Sequence, residues 1–150
     1  MITKRVVNEF VAQEALAVVG VSRSGKGFGN AALRELVANG YRVHPVHPQA
    51  GSVQGLPCAR DLASLSEPVG GVLIVVPPER TELIVREASA AGIRRVWMQQ
   101  GSSSPAAIAY CAEHGIDAVH GECILMYLRR GAAIHRLHHG LRRLFGRLPS

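Results

Sequence analysis

The sequence predicts an α/β fold, a three-layer sandwich in which a mainly parallel sheet of about five strands is covered by helices on both faces. Three observations carry this. Apolar runs of strand length alternate with stretches of helical period, the pattern of βαβ units. The runs are continuous in apolar character, as strands buried on both faces require. Three of the helical stretches stop at a glycine, Gly40, Gly92 and Gly115, the residue preferred at a left-handed C-terminal cap.

Taken in order, strands are expected at residues 16–21, 42–46, 71–76, 94–98 and 118–120, where Val, Ile, Leu and Ala cluster. Helices fill the gaps at 30–39, 79–91 and 105–114. Residues 49–68 are less regular and rich in Gly, Pro and Ser, with a short strand expected at 52–54 and one helical turn near Leu62. Trp97 and Met98 fall on a buried strand and read as core. The loops are short, and no internal repeat, low-complexity tract or interdomain linker breaks the pattern.

With 150 residues and 47% hydrophobic content, the chain has the size of one globular domain. No stretch approaches the roughly 18 apolar residues of a membrane span, so a soluble, cytoplasmic protein is expected. Cys58, Cys111 and Cys123 are an odd number without C-x-x-C spacing, which argues against a disulfide framework and a zinc site. The net charge of +6 is unevenly placed: all 11 acidic residues precede Arg129, while six arginines follow position 128 with no acid among them. The division is therefore a domain at 1–128, neutral in sum, and a basic extension at 129–150.

The chemistry concentrates at the ends of the expected strands, where parallel α/β sheets bind ligands. The first strand runs into Gly20-Val21-Ser22-Arg23-Ser24-Gly25-Lys26-Gly27-Phe28-Gly29-Asn30. Glycines allow a sharp turn and close ligand approach, and the free N–H groups of the following helix favour an anion such as phosphate. A dinucleotide fingerprint needs G-x-G-x-x-G and an acid about 20 residues on. Here Ser22 replaces the second glycine, and the second strand ends in His44-Pro45-Val46-His47-Pro48 without an acid. An NAD site is disfavoured, while a phosphorylated ribose is not. Gly20 and Gly25-Lys26 have P-loop spacing, but Gly27 stands where Ser or Thr should ligate magnesium, and the third strand ends in Pro77-Pro78 rather than an acid. This disfavours an NTPase.

Four strand-end segments in order, Gly40-Tyr41-Arg42-Val43-His44-Pro45-Val46-His47-Pro48, Gly55-Leu56-Pro57-Cys58, Val75-Val76-Pro77-Pro78 and Val96-Trp97-Met98-Gln99-Gln100-Gly101, accompany Gly20-Val21-Ser22. Together they resemble the CoA-binding domain family, small Rossmann-like proteins related to the amino-terminal domain of the succinyl-CoA synthetase alpha subunit. The resemblance covers residues 10–128. It implies CoA or an acyl-CoA as ligand, with the phosphates at Gly20, Ser22, Arg23, Ser24 and Lys26 and with Asn30 at the helix start. The family's Pro-Val-Asn-Pro turn corresponds to Pro45-Val46-His47-Pro48, where His47 replaces Asn and introduces a titratable group. Val76, Pro77 and Pro78 would line the adenine or pantetheine path, with Gln99 and Gly101 opposite. His120-Gly121-Glu122-Cys123 keeps the family's cysteine and alters its neighbours.

Each of these residues also has a plainer reading as a turn former, a core residue or a solvated loop side chain. Cys123 reads first as a small buried hydrophobe. No Ser-His-Asp set or metal-ligand spacing is evident, so the resemblance implies binding without the ligase reaction: a non-catalytic module, in one version homodimeric. An NADP-linked oxidoreductase using the same loop is the alternative. The extension places Ile134, Leu137, Leu141, Leu144, Phe145 and Leu148 at helical spacing among arginines. It reads as a basic amphipathic helix that packs on the domain or a second subunit, or contacts a partner protein, an anionic membrane or nucleic acid.

Overall fold

The computed structural model describes residues 3–128, so the basic extension and the readings made of it lie outside the described residues. Among the described residues the order is α1 (Lys4–Val11), β1 (Ala15–Val19), α2 (Phe28–Ala38), β2 (Arg42–Val46), β3 (Ser52–Val53), β4 (Leu56–Pro57), β5 (Gly71–Ile74), α3 (Pro78–Ala90), β6 (Arg95–Gln99), α4 (Pro105–Glu113) and β7 (Asp117–Glu122). Short 3-10 turns occupy Leu62–Ser64 and Ile124–Tyr127. The main sheet has the order β2-β1-β5-β6-β7 and is parallel throughout. The chain reverses its direction of travel between β1 and β5, which marks the switch point where such sheets bind ligands. The expected five-stranded α/β architecture is the observed one.

The continuous apolar strands divide their side chains between two cores. Leu16, Val18, Val43, Leu73, Trp97 and Val119 face α1, α2 and Ile124. Ala17, Val46, Val72, Ile74, Val96 and Met98 face α3 and α4 through Ile84, Val85, Ala88 and Cys111. Trp97 is fully buried, packs against Phe10 and Tyr127 at ring separations of 5.4 and 5.5 Å, and donates its indole N–H to the Glu122 carbonyl at 3.1 Å. The polar tip of this large apolar residue is thus satisfied inside the core.

The three expected helix stops work as a set. Gly40, Gly92 and Gly115 have φ of +92°, +79° and +68°. The next residue in each case, Tyr41, Ile93 or Ile116, is buried and donates its N–H back to Leu36, Ala88 or Cys111. This is the 6→1 bond that closes a helix and turns the chain into the core.

Three features depart from the sequence expectation. α1 was not predicted; Thr3 caps it, its Oγ1 accepting from the Val6 N–H at 3.3 Å, and Val7, Phe10 and Val11 form its buried face. The strand expected at 52–54 ends at Val53, because Gln54 and Gly55 adopt φ of +52° and +80°. That turn folds β3 back onto β4 as an antiparallel hairpin, as two left-handed central residues favour. Beyond β7, the 3-10 turn at Ile124–Tyr127 completes the core on the α1/α2 side.

No helix among the described residues is long and apolar enough to cross a membrane.

Candidate functional site

Register places the site. Val19 pairs with Val46 and Ile74, and Ile74 pairs with Met98, so the residues that follow, Gly20, His47, Val75 and Gln99, line one rim of the sheet, with Gln99 still paired to Glu122 of β7. The sequence-predicted site residues lie in or beside the four loops after β1, β2, β5 and β6: Asn30 and Pro78 belong to the first turns of α2 and α3, and Gln99 ends β6.

At Gly20 the chain turns with φ +118° so close to β5 that an added Cβ would lie 1.9 Å from the Val75 carbonyl oxygen. Gly29, in the first turn of α2, packs equally closely on the Gly20 carbonyl, 2.2 Å from an added Cβ. These two contacts seat the helix start directly on the strand end. Gly27 is the N-cap of α2 and carries no side chain to occupy the first helical N–H groups, which leaves them for an anion.

Asn30 shapes the loop between them. It is fully buried, its Oδ1 accepts from the Ser22 N–H at 2.8 Å, and its Nδ2 donates to the Ser22 carbonyl at 2.9 Å. Its amide is thus engaged on one backbone residue eight positions away. Ser22 Oγ donates to the Lys26 carbonyl at 2.7 Å and lies 3.0 Å from Ser24 Oγ, and Ser24 Oγ accepts from the Lys26 N–H at 3.3 Å. Arg34, in the second turn of α2, reaches back to the Gly25 carbonyl at 3.4 Å and to Gln54 of the hairpin turn at 3.2 Å. The side chains of Arg23 and Lys26 are exposed and make no ion pair among the described residues. The loop is closed on itself and offers positive charge at its surface.

On the second loop, His47 Nδ1 accepts from the N–H groups of Gln49 and Ala50 at 3.0 and 3.1 Å. An asparagine oxygen makes such turns in the same way, so the ring stands in for Asn through its unprotonated Nδ1. The backbone of this loop is tied to the hairpin segment by His47 N–H to Ala59 and Ala59 N–H to Pro45, at 2.9 and 3.0 Å. Pro48 is exposed at the mouth of the cavity beside it.

After β5, Val76 is buried, Pro77 is exposed and Pro78 opens α3. Buried Thr81 donates its hydroxyl to the Ser102 carbonyl, coupling α3 to the loop after β6. Gln99 is buried and its Oε1 accepts from the Ile124 N–H at 3.1 Å, while Gly101 is exposed in the following turn. Gln99 thus ties the rim to the turn beyond β7. Sequence reasoning missed Arg34 and Thr81, whose roles depend on contacts that no local motif announces, and placed Gly29 in the glycine-rich loop without its packing on Gly20.

The thiols of Cys58, Cys111 and Cys123 are free. Burial pushes Cys111 up to about 11 and also raises Cys58, the opposite of an activated thiolate. Among the described residues no group of His, Cys, Asp and Glu could hold a metal ion.

Residues 14–129 match the profile of the CoA binding domain. The chain belongs to the CoA-binding domain family. No curated protein gives a significant match. Among solved structures, a conserved hypothetical protein from Pyrococcus furiosus is 31% identical, with a TM-score of 0.72 over 75% of this chain and 97% of that one. A hypothetical protein from Pyrococcus horikoshii OT3 superposes with a TM-score of 0.78 at 24% identity, over 89% of this chain and 93% of that one. The acetyl-coenzyme A synthetase 1 of Ca. Korarchaeum cryptofilum shares the fold at 22% identity and a TM-score of 0.63, over 70% of this chain but 25% of that one.

Proposed function

We propose that this protein binds CoA or an acyl-CoA without transforming it, and that the pyrophosphate rests on the loop from Gly20 to Asn30. The observation that carries this reading is the loop itself. It seats a helix N-terminus without a side-chain cap on a strand end, is braced by Asn30, and presents Arg23 and Lys26 at its surface. Helix amides and flexible cations together are what a diphosphate requires. Family membership supplies the ligand class. Pro77 and Gly101 border the neighbouring rim, which would carry the pantetheine arm toward the loops after β5 and β6.

The test is thermal unfolding with CoA, acetyl-CoA, NADPH and ATP at equal excess. A ligand at 100 times its Kd stabilises the native state by about 2.7 kcal/mol, or roughly 5–10 °C for a chain of this size. The expected result is a shift with both CoA species that Lys26→Ala and Arg23→Ala weaken. A shift with NADPH alone would replace this reading with the oxidoreductase.

A further inference from the structure

A second group of cations lies beyond the phosphate loop, on the other face of the sheet. Between the ends of β1 and β2 and the first three turns of α3 is a cavity of about 490 Å³. Val19, Val46, Pro48 and Ile84 give it apolar walls, and Arg60 and Arg80 stand at it as exposed side chains. Arg5, Arg42 and Arg86 each pair with a carboxylate, but Arg60 and Arg80 form no ion pair among the described residues. Arg80 also sits in the first turn of α3, where a cation opposes the helix dipole. Its charge acts on Glu87 of the same helix without closing an ion pair, so the guanidinium can still meet an anion at the cavity.

Two acids, Asp61 and Glu87, line the same cavity. Burial, reinforced by Asp61 and opposed by Arg80, raises the Glu87 carboxyl above its usual range. Carboxyl oxygens beside apolar walls can accept from a ribose hydroxyl or an exocyclic amine, while the walls suit a purine face.

Building on the proposed CoA binding, we infer that Arg60 and Arg80 hold a ribose phosphomonoester, the 3′-phosphate of CoA, at a subsite separate from the diphosphate loop. These residues then determine specificity: they distinguish a ligand with a third phosphate from one with a free ribose hydroxyl. The two cation groups, Arg23 and Lys26 on one loop and Arg60 and Arg80 at the cavity, correspond in number to the two anionic groups of CoA, the diphosphate and the 3′-phosphate.

The experiment is calorimetric titration of the full chain with CoA, 3′-dephospho-CoA, NADPH and NADH, repeated on Arg60→Gln/Arg80→Gln. Both positions are exposed, so the variant should keep the parent melting temperature. The expected result is CoA binding at least about tenfold tighter than dephospho-CoA, as loss of charge-assisted phosphate contacts implies. The double variant should lose that preference while binding dephospho-CoA as before. Equal affinity for the two CoA forms in the parent, or a preference that survives in the variant, overturns the inference and leaves the CoA reading intact. Arginine-dependent preference for NADPH over NADH without CoA binding would keep a phosphomonoester subsite but overturn its assignment to CoA. No binding of any of the four overturns both readings.

Discussion

Asn30→Ala is the sharpest perturbation of the proposed phosphate loop, because a single side chain holds both backbone groups of Ser22. The bonds are 2.8 and 2.9 Å long, and the Asn30 side chain is fully buried. Each such bond contributes about 0.5–1.5 kcal/mol net, and a buried group left unpaired costs more. Ser22 is half-buried, so water can recover part of the loss, and the expected destabilisation is about 2 kcal/mol. For a chain of this length that lowers Tm by roughly 4–8 °C, measurable by urea or thermal denaturation. Asn30→Asp separates bracing from binding. It retains an acceptor for the Ser22 N–H, sets an oxygen against the Ser22 carbonyl, and adds a negative charge at the helix start. Stabilisation by CoA should then vanish, beyond any loss of intrinsic stability. A change below about 0.5 kcal/mol in Asn30→Ala, the range of inconsequential surface substitutions, would refute the argument that this residue closes the loop.

Gly20→Ala forces a Cβ onto the Val75 carbonyl at a positive φ and should cost about 3 kcal/mol or more in denaturant titration, whereas Gly25→Ala, at φ +78° with open space around it, should cost only about 1–2 kcal/mol. His47→Ala removes the acceptor of two N–H groups and should lower stability by about 1–2 kcal/mol; His47→Asn should restore most of it, and equal losses in the two variants would contradict the turn role. Cys111 is protonated in the folded state to a pH near 11, against 9.0 in the absence of burial. The unfolded chain therefore releases its proton first, and stability should fall as pH rises from about 9 to 11, by up to about 2–3 kcal/mol. Cys111→Ala should flatten that part of the pH profile, after allowance for Tyr41, whose hydroxyl burial also raises.

The strands were legible because burial on both faces leaves a continuous apolar run, and the helix ends because Gly40, Gly92 and Gly115 have one conformational use there. α1 was less legible since Lys4, Arg5 and Glu9 obscure a face made of only Val7, Phe10 and Val11; Thr3 with that i, i+3, i+4 spacing was the available signal. The hairpin was hidden by Gln54, an uncommon residue at positive φ, for which no turn motif prepares the reader.

For the candidate site, the same distinction has a chemical consequence. The Gly20 to Asn30 loop is contiguous in sequence, so its glycines and basic residues announce an anion before the fold is known. Arg60 and Arg80 are 20 positions apart and line one cavity only because the segment that bridges to the end of β2 through Ala59 and the start of α3 border the same end of the sheet. Local sequence thus encodes a site for a feature that CoA shares with many nucleotides, the diphosphate. Discrimination among those nucleotides rests on residues that topology alone brings together. If the 3′-phosphate is read at Arg60 and Arg80, affinity and specificity reside in separable parts of the rim: Lys26→Ala should weaken CoA and dephospho-CoA by the same factor, whereas the arginine variants should change only their ratio. Parallel titrations of the two ligands distinguish these effects, and a Lys26 variant that altered the ratio would place both phosphates in a single shared subsite.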